Sequence, residues 1–114
     1  MSDCLFCKII AGEIPSEKVY EDDHVYAFKD IMPVAPLHTL IIPKKHIATI
    51  NDLESDDAET VGNLFLAAKK IAKQEGYDDA GYRTVMNCGE VAGQTVFHIH
   101  LHLLAGRDLT WPPG

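Results

Sequence analysis

The 114 residues carry a formal charge of −7, with 46% hydrophobic and 24% charged side chains, the balance of an ordinary globular protein. That acidic surplus argues against a nucleic-acid polymer as partner, because phosphate contacts along a duplex require a basic face. It leaves open one small anion held by directed groups. No apolar run approaches the ~20 residues of a membrane span and no basic-then-apolar leader opens the chain, so one cytoplasmic domain over residues 1–114 is expected, with no membrane partner. Three cysteines, an odd number, do not make a disulfide framework.

In chain order, Cys4 and Cys7 form a C-x-x-C pair at the start of an apolar segment. Residues 5–11 read as a short helix, with Leu5, Phe6, Ile9 and Ile10 at helical spacing and Gly12 as its stop. Residues 18–21 and 25–29 alternate as two strands around Asp22-Asp23-His24, a predicted hairpin. Asp30 follows the second strand, where such a residue is usually part of a turn. Pro33 and Pro36 then bracket a loop. Residues 38–42 resume as a strand with His38, Leu40 and Ile42 on one face. One long helix is predicted over 56–75, capped by Ser55 or Asp56, with Val61, Leu64, Phe65, Ala68, Ile71 and Ala72 as its buried stripe and Gly76 as its stop. Residues 82–88 read as a further strand, with Cys88 a small core residue. The order suits an α+β fold, an antiparallel sheet with its helices on one side and its other face free for a ligand. Trp111-Pro112-Pro113-Gly114 reads as a frayed tail or as a docking element for another subunit.

The densest chemistry lies in His98-Ile99-His100-Leu101-His102. Period-2 alternation puts three imidazoles on one strand face and Phe97, Ile99, Leu101 and Leu103 on the other. Residues four apart on a strand stand about 13 Å apart, too far for one zinc to gather all three histidines without strain, although neighbouring pairs could share an ion. Phosphorus chemistry fits better. Neutral imidazole is a competent nucleophile near pH 7 when its other ring nitrogen is oriented, and flanking imidazoles or the amides of a Gly-rich turn such as Gly93-Gln94-Thr95 stabilise phosphate oxygens.

The run from Gly93 to Leu104 resembles the signature of the histidine triad (HIT) family. Asp30-Ile31, Pro33, Ala35-Pro36, His38, the segment from Leu40 to His46, and the Trp-Pro-Pro-Gly ending resemble its Hint branch of nucleoside phosphoramidases. The resemblance implies a five-stranded antiparallel sheet with one long and one short helix, and a homodimer in which two sheets join. It implies that His100 attacks the α-phosphorus of a purine nucleoside 5′-phosphoramidate or aminoacyl nucleotide, forming a nucleotidyl-histidine that water hydrolyses. His102 then matches the residue on the phosphate oxygens and His38 the one near the leaving group. Asn87, Gly93, Gln94 and Thr95 match the groups around the phosphate, with Thr95 standing where the branch often has Ser. Asp30 matches the ribose-binding carboxylate, and Phe28 and Ile31 the walls of the purine slot, positions that would otherwise read as plain core. Hydrolysis of dinucleoside polyphosphates, and nucleotide binding with incidental hydrolysis, are the alternative activities.

The C-x-x-C pair departs from many Hint proteins. Some histidine triad relatives, and the related galactose-1-phosphate uridylyltransferases, join such a pair to two histidines, which here are His46 and His98. A structural zinc on Cys4, Cys7, His46 and His98 is therefore expected, against a pair of buried thiols or a redox pair; none of the chemistry requires it.

Overall fold

The computed structural model describes residues 3–114. Five strands, β1 (Lys18–Glu21), β2 (Val25–Lys29), β3 (Leu37–Pro43), β4 (Arg83–Val85) and β5 (Leu101–Ala105), form one antiparallel sheet in the order β1-β2-β3-β5-β4. The helices are α1 (Leu5–Ile10) and α2 (Ala58–Gln74).

The β1–β2 hairpin forms because Asp22 supplies its own turn. Its Oδ1 accepts from the backbone N–H of His24 and of Val25 at 2.8 and 2.9 Å, an Asx-type turn. Strand β3 is apolar along nearly its whole length and buried at all seven positions, as a central strand covered on both faces must be. Leu37 and Ile41 enter the larger core with Ile99, Leu101, Leu103 and Ala105, while Leu40 and Ile42 enter a second cluster on the opposite face.

Helix α2 covers the first face with Leu64, Ala67, Ala68, Ile71 and Ala72. Phe65, expected in that stripe, is 48% exposed and Leu66 57%: the small side chain of Ala67 allows close approach to the sheet, so the helix turns its bulky pair outward. Its start also differs from expectation. The chain enters through a 3₁₀ turn at Ser55–Asp57, and neither Ser55 nor Asp56 caps α2. Asp57 accepts from Glu54 N–H at 2.9 Å and from Lys45 Nζ at 2.5 Å, fastening the helix start to the loop after β3. The C-terminal stop is as expected. Gly76 takes φ +84°, and Tyr77 N–H donates to Ala72 O at 2.8 Å while Gly76 N–H donates to Lys73 O, the left-handed closure that glycine permits.

The helices do not share one side. Helix α1 lies on the opposite face, where Phe6 and Ile9 pack with Tyr26, Phe28, Leu40 and Ile42, so the face expected to be free is half covered. Two further expectations change. Strand β4 spans only Arg83–Val85 rather than 82–88, and Cys88 is half-buried in the loop beyond it. Regular strand geometry begins at Leu101, after His98 and His100, and Phe97 is 49% exposed.

Candidate active site

On the α1 face, adjacent strands align the site in rows. Phe28 pairs with Leu40 and Leu40 with His102, so β2, β3 and β5 present a continuous floor. A cavity of about 410 Å³ lies over it, lined by Phe28, Asp30, Ile31, Thr95, His100 and His102 together with Phe6 and Ile9 of α1. That volume is in the range of small-molecule sites. Ile31 stands at the rim, 95% exposed, whereas Phe28 is buried in the floor. Phe6 and Ile9 were not singled out from sequence as site residues, because their spacing is that of any buried helix face.

Hydrogen bonds fix the protonated nitrogen of each triad ring, because a carbonyl only accepts. The buried His98 donates its Nε2–H to Pro43 O at 2.8 Å, leaving Nδ1 as a lone pair. His100 donates its Nδ1–H to His98 O at 2.9 Å, leaving the Nε2 lone pair available. Phe6 and His100 pack in a T-shaped pair with ring centroids 5.1 Å apart. Val34 N–H donates to His38 Nδ1 at 3.1 Å, so the proton of neutral His38 is on Nε2 and is donated to His102 Nδ1 at 2.9 Å. The proton of His102 is therefore on Nε2.

Burial holds these rings neutral. It lowers the pKa of His100, and lowers that of His102 to about 4 with help from the neighbouring His100 and His38; burial also lowers His38, against the attraction of Asp30. The 3.3 Å contact of His38 Nε2 with Asp30 Oδ2 is thus not an ion pair: the ring is neutral and its one Nε2 proton goes to His102.

Of the residues expected around the phosphate, Thr95 lines the cavity, whereas Asn87, Gly93 and Gln94 do not. Gly93 takes φ +97° and lies against the Asn87 amide, whose Nδ2 would be 3.8 Å from a Cβ at that position. Gln94 is buried and turned onto the backbone: its Oε1 accepts from Gly89 N–H, and its Nε2 donates to Ala48 O and Val96 O. Its side chain therefore braces the turn.

Two groups of side chains have metal-ligand spacing among the described residues. In the first, Cys4 Sγ and Cys7 Sγ lie 3.4 and 3.6 Å from His98 Nδ1, Cys7 Sγ lies 3.4 Å from His46 Nδ1, and the two Nδ1 atoms are 3.2 Å apart. Tetrahedral zinc with ordinary bond lengths requires about 3.3 Å between nitrogens and about 3.6 Å between nitrogen and sulfur. The donor set fits, and the bond from His98 to Pro43 O already presents the lone pair such an ion needs. The second group, Asp30, His38 and His102, fits poorly. A lone pair on His38 Nε2 would place the ring proton on Nδ1, against the Val34 N–H. Within that group His38 and His102 are a hydrogen-bonded pair with the Asp30 carboxylate beside them.

An antiparallel sheet carrying oriented imidazoles beside a cavity of small-molecule size is the arrangement of a histidine triad protein. The chain belongs to the HIT family, whose domain model matches residues 11–109. An uncharacterized HIT-like protein of Synechococcus elongatus is 52% identical over 98% of this chain and 97% of its own length. The crystal structure of a HIT family hydrolase from Legionella pneumophila superposes with a TM-score of 0.96 at 59% identity, over 98% of this chain and all of that one. A histidine triad nucleotide-binding protein from Candida albicans superposes at 0.82 with 38% identity, over 96% of this chain and 83% of that one.

Proposed function

We propose that this protein is a hydrolase of purine nucleoside 5′-phosphoramidates or aminoacyl nucleotides, of the Hint type, acting through a nucleotidyl-histidine on His100. The observation that carries the reading is the tautomer of His100. Its Nδ1–H is committed to His98 O, which leaves the Nε2 lone pair beside the cavity. Names carried by relatives support it: the Legionella protein is called a hydrolase and the Candida protein nucleotide-binding.

In this reading His100 Nε2 attacks the α-phosphorus. A P–N bond to the ring forms as the bond to the leaving amine breaks, and the amine leaves with a proton taken from solvent, which the later attack of water gives back. His102, its proton on Nε2, donates to a non-bridging oxygen as negative charge builds there. Water then attacks phosphorus, the P–N bond to His100 breaks, and the nucleoside monophosphate departs. Asp30 accepts from the ribose hydroxyls, while Phe28, Phe6, Ile9 and Ile31 enclose the base. Cys4, Cys7, His46 and His98 would hold a structural zinc; when bound, the ion would cross-link the N-terminus to the triad strand and take no part in the chemistry. The protein would act as a homodimer.

With adenosine 5′-phosphoramidate as substrate, wild-type protein should release AMP and ammonia, and His100→Ala should lower kcat at least about a thousandfold. Unimpaired turnover by the variant would overturn the assignment.

A further inference from the structure

The cavity has a second polar end that the proposed chemistry does not use. Ser16 and Glu17, in the segment between α1 and β1, line the same cavity as His100 and His102. They stand beside the outer strand of the sheet, with β2 and β3 between them and β5. At the ordinary strand spacing, β2 is about 10 Å from β5 and β1 about 14 Å. A nucleotide with its phosphate at His100 and its ribose at Asp30 must extend its base across β2, toward Ser16.

The hydroxyl of Ser16 is held there. Its Oγ is 2.7 Å from the hydroxyl of Tyr26, a buried β2 residue whose ring packs in the apolar cluster with Phe28. Either hydroxyl can donate in this pair, and in both arrangements Ser16 keeps a lone pair for the cavity. Glu17 is tied through Oε2 to Lys29 Nζ at 2.9 Å, and its other oxygen only accepts. Acceptors at this end of the cavity complement a base edge that presents an amino group.

We propose that Ser16, oriented by Tyr26, is a specificity-determining residue that accepts a hydrogen bond from the exocyclic amino group of the base, so that the site selects aminopurine nucleotides. The inference rests on the nucleotide reading above. Calorimetric titration with AMP and with purine riboside 5′-monophosphate, which lacks the amino group, tests it without turnover. Wild type should bind AMP about fivefold more tightly, the worth of one ordinary hydrogen bond. Ser16→Ala should bring the affinity for AMP down to that for the amino-free nucleotide. Tyr26→Phe, which keeps the ring packing, should at least halve the preference, an effect on the ratio of two ligands that loss of fold alone would not produce. Equal binding of both nucleotides by wild type, or a preference unchanged in Ser16→Ala, overturns the inference and leaves the nucleotide reading standing. No binding of either nucleotide overturns both.

Discussion

Thr39 sits fully buried on β3, and its hydroxyl is the one buried side-chain polar atom among the described residues without a hydrogen-bond partner. It shares the α2 face with Leu37 and Ile41, where a buried hydroxyl costs free energy with nothing to offset it. Thr39→Val keeps the shape and removes that cost, so it should stabilise the protein by about 1 kcal/mol, read as a higher urea midpoint at unchanged slope. A lower midpoint would mean the hydroxyl has a partner in solution. At this scale the sequence was partly legible. The alternation around His98, His100 and His102 marked the chemistry, but it suggested three similar rings on one face. Their orientations depend on hydrogen-bond partners distant in sequence: Pro43 O, which accepts from His98, and for His102 a chain in which Val34 N–H donates to His38 and His38 donates to His102. The pairing of Ser16 with Tyr26 was invisible for the same reason, since hairpin register decides which side chains meet.

Among the elements, the two ends of the site are held by different devices. Directly after β5, Gly106 takes φ +97°, and a Cβ there would lie 2.7 Å from Pro36 Cβ. Arg107 Nε donates to Val34 O at 2.8 Å. This turn therefore braces the proline-bracketed loop whose amide orients His38. Gly106→Ala should destabilise the protein by about 2 kcal/mol through the left-handed backbone and the clash together, measured by urea unfolding; a loss below a few tenths would show that the turn relaxes freely. At the other end, Cys4 caps α1, Cys7 N–H donates to Cys4 Sγ, and both sulfurs meet His46 and His98. Protein purified without chelator should carry about one zinc per chain, and its removal should lower Tm. Less than about half an equivalent, with both thiols titrating freely, would contradict the zinc assignment. Strands β1, β2 and β3 were legible because their apolar runs end at turn residues. Strand β4 was overextended because residues 86–88 carry the same apolar pattern while forming a loop. In α2 the expected Leu64, Ala68, Ile71 and Ala72 are buried, but one edge of the stripe was misplaced, because hydrophobicity ranks Phe65 above Ala67, whereas close packing on a sheet rewards the smaller side chain.

For the whole molecule, the sheet ends in two open edges, β1 and β4, and an open edge presents unpaired backbone groups that proteins usually cover. Large apolar side chains are also exposed away from the cavity, on α2 at Phe65 and Leu66 and in the tail at Trp111, which is 81% exposed although Arg83 holds the carbonyls of Leu109 and Thr110. Both features favour pairing with a second copy. Light scattering at micromolar concentration should give twice the 12.6 kDa chain mass, and the mass of one chain would contradict the dimer. Among the described residues, no helix is long and apolar enough to cross a membrane.

In the proposed mechanism the nucleotidyl group passes through His100. Intact-mass spectrometry of protein quenched during turnover of adenosine 5′-phosphoramidate should show one nucleotidyl group added to the wild-type chain and none on His100→Ala. Turnover by wild type with no adduct at any quench time, or the same adduct on His100→Ala, would contradict it.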